Sequence, residues 1–368
     1  MAAPPASGDN RLVKTLRFSV DPAHLESAAA RSALAQAAEI LRGGGLVALP
    51  TETVYGLGAN ALDPAAVARI FAAKKRPAWD PIIVHIAGET AGNPMLRNLV
   101  SEIPSAASQL IAAFWPGPLT LLLPRSAAVP DAVTAGRPLV GIRMPAHPVA
   151  FALIRQAGVP IAAPSANLFG HISPTTAQHV LDDLDGRIDA VLDAGPTEHG
   201  VESTVLDPCQ TPMVIYRPGA ITAAQIRSIV GPVEHFQPTG PLVKAPREAL
   251  PSPGVGLRHY APRAHLVLVE DSLEALPQAL TDAAASCAGK RVGILLPTEL
   301  AAQVPRGSEI FPWGRWTAPE ELASRLYTGL RALDAAGCDV ILCPLPPATG
   351  LGVAIRDRLR KAAHAPSQ

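Results

Sequence analysis

Apolar residues recur with helical spacing from Ala28 to Leu41 and stop at Gly43-Gly44-Gly45, where glycines suit a helix end and a turn. A short apolar run, Leu46–Leu49, then predicts a buried strand leading into Pro50. Pro64–Lys74 has helical spacing with proline in its first turn. Ile82–Ile86, Leu119–Leu123 and Leu139–Ile142 predict strands, His147–Gln156 a helix and Val159–Ala163 another strand. Thr175–Leu184 predicts a helix starting near Ser173 or Pro174. Strands at Asp189–Leu192, Ser203–Leu206 and Met213–Tyr216 follow, then a helix over Thr222–Val230 with Thr222 as its cap. Strands and helices mix without strict alternation, so an α/β domain on a mixed sheet is expected for residues 28–230, behind an N-terminal extension of residues 1–27.

Periodicity is then lost. Residues 231–263 hold seven prolines (Pro232, Pro238, Pro241, Pro246, Pro251, Pro253 and Pro262), which predicts a long extended linker. Beyond it, His265–Val269, Val292–Leu296 and Val340–Cys343 read as strands, alternating with helices at Leu273–Ala285, Pro319–Ala335 and Val353–Ala363. Alternation predicts a small Rossmann-like parallel α/β domain over residues 264–368. It has no G-x-G-x-x-G after a strand, so it is not read as a dinucleotide site.

A length of 368 residues with 48% hydrophobic and 17% charged residues allows two cored domains and argues against general disorder. Lys+Arg and Asp+Glu are both 31, so bulk charge does not favour a protein that coats nucleic acid or a membrane surface. Cys209, Cys287, Cys338 and Cys343 lack C-x-x-C spacing and read as reduced thiols, and the scattered histidines give no zinc motif, so no protein-held metal is expected. The first ten residues do not read as a signal peptide and no apolar run is long enough to span a bilayer, which makes a cytoplasmic location the expectation.

Candidate chemistry gathers near predicted strand ends. Pro50-Thr51-Glu52-Thr53-Val54-Tyr55-Gly56-Leu57-Gly58 sets hydroxyls, a carboxylate and glycines in a turn, which suits either an ordinary connection or close backbone approach to a ligand. Lys74-Lys75-Arg76 closes a helix; cations there are the ordinary complement of the helix dipole, which is the favoured reading of this segment alone, and a triphosphate clamp is the functional one. Pro164-Ser165-Ala166-Asn167 and Ser173-Pro174-Thr175 put hydroxyls before a helix, while Glu202-Ser203-Thr204, Arg143 and Arg217 sit at strand ends. His85 lies in an apolar strand, where a satisfied core histidine is the ordinary reading. Cations, hydroxyls and glycines without a Cys/His nucleophile pair favour aligning small anions over covalent catalysis.

TETVYGLGAN, KKRP followed by PIIVHI, FWPGPLT, RMPAHP, PSAN, GVEST and YRPG, in that order, resemble the YrdC-type threonylcarbamoyl-AMP synthases. PSPGVGLRHYAP and GLGVAIRDRLRKAA resemble the long two-domain form of that family, and the resemblance runs over residues 28–363. It implies a YrdC-like twisted mixed-sheet domain, followed by the linker and the small Rossmann-like domain. The implied reaction joins L-threonine, bicarbonate and ATP, with Mg²⁺ accompanying ATP, into threonylcarbamoyl-AMP and pyrophosphate. A downstream tRNA threonylcarbamoyl transferase would use the product for the t6A modification of adenosine, with at most a weak contact between this chain and tRNA.

The family's KxR…SxN signature falls on Lys74, Arg76, Ser165 and Asn167. The resemblance implies that Lys74 and Arg76 carry the catalytic role on the ATP phosphates, that Ser165 and Asn167 face the nucleotide, and that Ser173, Arg217 and Tyr260 are further ATP contacts. It places threonine at Thr53, His85, Arg143 and Ser203, with the backbone of Ala163; Arg143 would grip the carboxylate bidentately. Asp80 stands where an uncharged or basic residue is commoner, so its expected ATP contact requires a bridging cation such as Mg²⁺. Arg258, His259 and Tyr260 are groups a pure spacer does not need; they suit a linker that folds back over the active site, the other reading being that they merely dock it onto the second domain. The rival reading is an RNA-binding module without synthase activity, which zero net charge and only four tyrosines and four tryptophans disfavour.

Overall fold

A computed structural model describes residues 14–90, 92–237, 250, 252, 255, 260–303 and 307–363. The first part runs β1 (Leu16–Ser19), α1 (Ala28–Arg42), β2 (Val47–Leu49), β3 (Gly56–Asn60), α2 (Pro64–Lys74), β4 (Val84–His85), α3 (Pro94–Leu99) and α4 (Ser105–Phe114). It continues through β5 (Leu119–Pro124), α5 (Asp131–Thr134), β6 (Leu139–Arg143), α6 (Pro148–Ala157), β7 (Ile161–Ala162), α7 (Ala177–Leu184), β8 (Ala190–Asp193), β9 (Thr204–Asp207), β10 (Met213–Arg217), α8 (Ala223–Val230) and β11 (Val233–His235). The second part holds β12 (His265–Val269), α9 (Leu276–Ala285), β13 (Val292–Pro297), β14 (Glu309–Gly314), α10 (Pro319–Ala335), β15 (Val340–Pro344) and α11 (Gly352–Ala363).

Among the described residues, eleven strands form one mixed sheet in the order β1-β8-β2-β3-β7-β4-β6-β5-β9-β10-β11. The other four form a parallel sheet, β12-β15-β13-β14. This is the expected α/β class, with a mixed sheet followed by a parallel one. Alternation splits β2 between two faces: Val47 and Leu49 join α1 and α6 through Leu34, Leu41, Val149 and Leu153, whereas Ala48 faces the core that holds Val67, Ile70, Leu110 and Ile226.

Several elements depart from the apolar pattern. β1 lies in the stretch read as an extension; its side chains are mostly exposed, and main-chain pairing to β8 rather than an apolar face defines it. β3 reads GLGAN and lies where a turn was expected as far as Gly58. Its glycines reflect crowding, since a Cβ on Gly58 would stand 2.9 Å from side-chain carbons of Ile161 and Leu49. β11 lies in the expected linker and pairs with β10, and β14, at the edge of the second sheet, contains Pro312. The expected strand Ile82–Ile86 narrows to Val84–His85, because the Ile82 amide bonds the Val133 carbonyl instead of a strand neighbour. The helix expected near Ser173 starts later, with Thr176 as its cap accepting from the His179 amide. Thr222 caps α8 as expected, in a capping box with Gln225.

Candidate functional site

A cavity opens where β4, β6 and β10 end and the connections around residues 51–56, 163–165 and 202–203 converge. Its lining includes Thr53, Arg76, His85, Arg143, Ala163, Ser165, Ser203, Arg217 and Tyr260, all expected from the sequence. Register explains part of this gathering. β4 and β6 are parallel with His85 opposite Arg143, and His85 also faces Ile161 across β7. β9 and β10 are antiparallel, which sets Arg217 beside the start of β9 and hence beside Ser203. Gly219 allows this approach: a Cβ there would lie 2.3 Å from the Thr204 amide nitrogen.

Each arginine is tied to a particular partner. Arg143 donates through Nε to the Gly117 carbonyl at 3.2 Å and through Nη1 to Thr53 Oγ1 at 2.9 Å. Its Nη2 lies 2.7 Å from Glu52 Oε1, with both side chains buried. Burial raises the Glu52 pKa, but the Arg143 guanidinium outweighs it and leaves the carboxyl below its usual range. Arg217 donates through Nε to the Ser203 carbonyl and through Nη2 to Ser203 Oγ, both at 3.0 Å. Ser203 Oγ also lies 2.8 Å from Thr120 Oγ1, so it joins the Arg217 side of the cavity to β5. Arg76 donates to the carbonyls of Asp80 and Pro81 at 3.2 and 2.7 Å.

His85 is fully desolvated and lies beside the Arg143 cation, which together push its pKa down to about 3. It is therefore a neutral ring at ordinary pH, and its Nδ1 has no hydrogen-bond partner among the described residues.

Lys74, Asp80, Asn167 and Ser173, also expected at the site, are not in the cavity lining. The Lys74 side chain is buried and its Nζ donates to the carbonyls of Ser165 and Asn167 at 2.6 and 2.5 Å. Burial first, and then the neighbouring Arg76 cation, push its pKa well down. Lys74 thus supports the loop carrying Ser165 instead of presenting its ammonium to the cavity. Asp80 is fully buried, with Oδ1 3.0 Å from Arg76 Nη2 at an angle that makes an ion pair rather than a hydrogen bond. Burial raises its pKa despite that cation. Asn167 donates to the carbonyls of Leu168 and His171, both at 2.8 Å. Ser173 donates to Glu202 at 2.6 Å.

Glu52 and Glu202 stand out in the structure more than in the sequence, where each was one polar residue in a motif. Glu202 lines the cavity. Arg358, Arg217 and the Ser173 hydroxyl outweigh the effect of burial and hold its carboxyl at about 2. Tyr260 also lines the cavity with a left-handed backbone, φ 67°. The Ala261 amide bonds the Gly170 carbonyl, and the Leu250 amide bonds the Trp79 carbonyl, so these described parts of the linker touch the first part. Arg258 and His259 lie outside the described residues. Among the described residues no group of three His, Cys, Asp or Glu side chains could hold a metal, and no helix is long and apolar enough to cross a membrane.

Residues 39–219 match the Sua5_yciO_yrdC family, described as telomere recombination, and residues 221–364 match the threonylcarbamoyl-AMP synthase C-terminal domain. The threonylcarbamoyl-AMP synthase of Bacillus subtilis is 45% identical over 352 residues, covering 95% of this chain and 98% of the relative. The chain belongs to the threonylcarbamoyl-AMP synthase family. Another member, from Pyrococcus abyssi, is 44% identical and is covered over 92% of its length. Similarity extends to three dimensions: P. abyssi Sua5 complexed with L-threonine aligns with a TM-score of 0.85 at 41% identity, over 95% of this chain and 98% of that one. A family member from Alkalilimnicola ehrlichii matches over only 50% of this chain but 95% of its own length, at 35% identity.

Proposed function

We propose that this chain synthesises threonylcarbamoyl-AMP from L-threonine, bicarbonate and ATP. The observation that carries the reading is one cavity lined by Arg76, Arg143 and Arg217 together with the hydroxyls of Thr53, Ser165 and Ser203. Such a set suits two anionic substrates held side by side. The family membership and the threonine complex of P. abyssi Sua5 support the same reading.

Threonine occupies the side formed by Thr53, His85, Arg143, Ser203 and the Ala163 backbone. The Arg143 nitrogens already serve Glu52, Thr53 and Gly117, so the threonine carboxylate shares that guanidinium instead of gripping it as an open fork. The triphosphate lies along Arg76, Ser165 and Arg217, beside Tyr260. Lys74, Asp80, Asn167 and Ser173 act behind this surface, holding the groups that touch the nucleotide. Mg²⁺ enters with the triphosphate as part of the substrate; Asp80 could reach it only if its pairing with Arg76 opened.

Threonine's neutral amine takes up CO₂ derived from bicarbonate and loses a proton to give the carbamate. A carbamate oxygen then attacks the α-phosphorus in line, the bond to the β-phosphate oxygen breaks, and pyrophosphate leaves. The chain supplies alignment and charge neutralisation, with no covalent enzyme intermediate. Tyr260, which lines the cavity, closes one side of it and shields the mixed anhydride from water. The product passes to a tRNA threonylcarbamoyl transferase for t6A formation, in the cytoplasm, with at most weak contact between this chain and tRNA.

The test is to incubate the protein with Mg²⁺, ATP, bicarbonate and threonine, seek the mixed anhydride by mass spectrometry, and follow pyrophosphate. Pyrophosphate release should require both threonine and bicarbonate. Release of ADP and phosphate, or turnover that ignores threonine, would overturn the reading.

A further inference from the structure

Two side chains of the second part close the wall of the cavity from behind. Glu202 accepts from Ser173 Oγ at 2.6 Å, from Tyr327 OH at 3.0 Å and from Arg358 Nε at 2.7 Å. Tyr327 lies on α10 and Arg358 on α11, more than 100 residues further along the chain. The same two residues enclose Tyr260. Its ring stacks on Tyr327 with centroids 5.7 Å apart and planes 25° from parallel. The Arg358 guanidinium stands 5.4 Å above the Tyr260 ring. Glu202 and Tyr260 line the cavity; Tyr327 and Arg358 do not.

The segment bearing Glu202 is pressed directly against α10. Gly200 has φ +68°, and a Cβ on it would stand 2.5 Å from the Ala323 carbonyl oxygen. Val54, Val201 and Tyr260 share one apolar cluster with Leu322, Leu326 and Leu359. This packing leaves Glu202 little freedom to move independently of the second part.

Charge makes the arrangement specific. Arg358 has a fully buried side chain, and its Nη2 donates to the Pro218 carbonyl at 2.9 Å. Arg217 in the cavity and Arg358 behind it both act on the single Glu202 carboxylate. Removing one partner from such a group leaves an uncompensated buried charge. Tyr260, a non-glycine residue in the left-handed region, keeps that backbone only because its surroundings impose it. The stack and cation that enclose its ring are part of those surroundings, together with the bond from the adjacent Ala261 amide to the Gly170 carbonyl.

We propose that Tyr327 and Arg358 are positioning residues for the nucleotide side of the cavity, acting through Tyr260, with Glu202 as the anchor that fixes both of them. The second part is then a brace for the active site rather than an appended module. The proposal rests on the reading that this cavity binds ATP. The alternative is an interface that only holds the two parts together, and the two differ in how they couple to Tyr260.

The test is a double-mutant cycle in the full chain, reading ATP affinity by calorimetry. Arg358→Met should weaken ATP binding about tenfold when Tyr260 is present, and by less than about threefold when Tyr260→Ala is already there. Tyr327→Leu should behave similarly, and Tyr327→Phe, which keeps the stack, should lose less. Arg358→Lys keeps the charge without the fork and should recover part of the loss. Threonine affinity measured without nucleotide should stay within about twofold throughout. Equal losses in both Tyr260 backgrounds, unchanged ATP affinity in folded variants, or a parallel loss of threonine affinity would each overturn the brace. If Arg358→Met does not fold, Tyr327→Leu and Arg358→Lys carry the same cycle. An unsubstituted chain that binds no ATP would instead sink the underlying reading, so the two failures are distinct.

Discussion

Arg143 Nη2 and Glu52 Oε1 lie 2.7 Å apart, with each side chain only 4% exposed. The cation expected to hold threonine is therefore part of a buried ion pair. Arg143→Ala should weaken threonine binding by about 2–4 kcal/mol while changing ATP binding far less. It should also lower stability, because a lone buried carboxylate costs about 3–5 kcal/mol. Arg143→Ala/Glu52→Gln should regain most of that stability in denaturant titrations, yet still bind threonine poorly. Equal losses for both substrates would assign Arg143 to the fold or to the nucleotide.

Lys74 gives a second prediction, since its ammonium bonds the carbonyls of Ser165 and Asn167 rather than facing the cavity. Lys74→Met leaves those acceptors without their donor, at a cost of about 1–3 kcal/mol. The KM for ATP should rise as the Ser165 loop loosens, with measurable kcat surviving at saturating ATP. Complete loss of kcat at saturation in a folded variant would mean that Lys74 reaches the phosphates directly.

Acid should destabilise the protein in two stages. His85, at about 3, and His179, at about 4, stay neutral in the folded chain below the usual 6.5. As pH falls from 6.5, the unfolded chain takes up protons that the folded chain refuses, so stability falls. Glu202 has the depressed-carboxyl sign: its contribution is present above its usual 4.5 and is lost as pH falls towards about 2. Chemical denaturation at stepped pH should show both limbs. His85→Gln/His179→Gln should flatten the upper limb and Glu202→Gln the lower; unchanged limbs would refute the assignment.

A chain ending at Phe236 retains β11 and the contact between Phe236 and Tyr216, whose ring centroids are 4.9 Å apart. It loses Tyr260 and the second part, and uncovers Val54, Ile172 and Val201. It should fold with reduced stability, bind ATP weakly and form little threonylcarbamoyl-AMP, while full-length Tyr260→Ala shows a milder form of the same defect. Undiminished affinity and product in the shortened chain would remove the linker and second part from the active site.

The sequence by itself determined the α/β class, the change from a mixed to a parallel pattern and the motif order, because periodicity and local residue spacing are properties of the chain. Most core strands and capped helices were legible in this way, Thr222 with Gln225 among them. Strands such as β1 and β3 were not, because remote main-chain partners and close backbone approach define them rather than an apolar alternation. At the cavity, motif resemblance brought out Thr53, His85, Arg143, Ser203 and Arg217, but could not tell a group that faces the cavity from one that supports it. Lys74 and Ser165 belong to one signature, yet only the packed structure turns the lysine onto the serine's carbonyl and leaves Ser165 in the lining. The joining of Glu202 to Tyr327 and Arg358 also belongs to tertiary structure alone: desolvation and charge pairing depend on distance in space, and these residues meet only after both parts have folded.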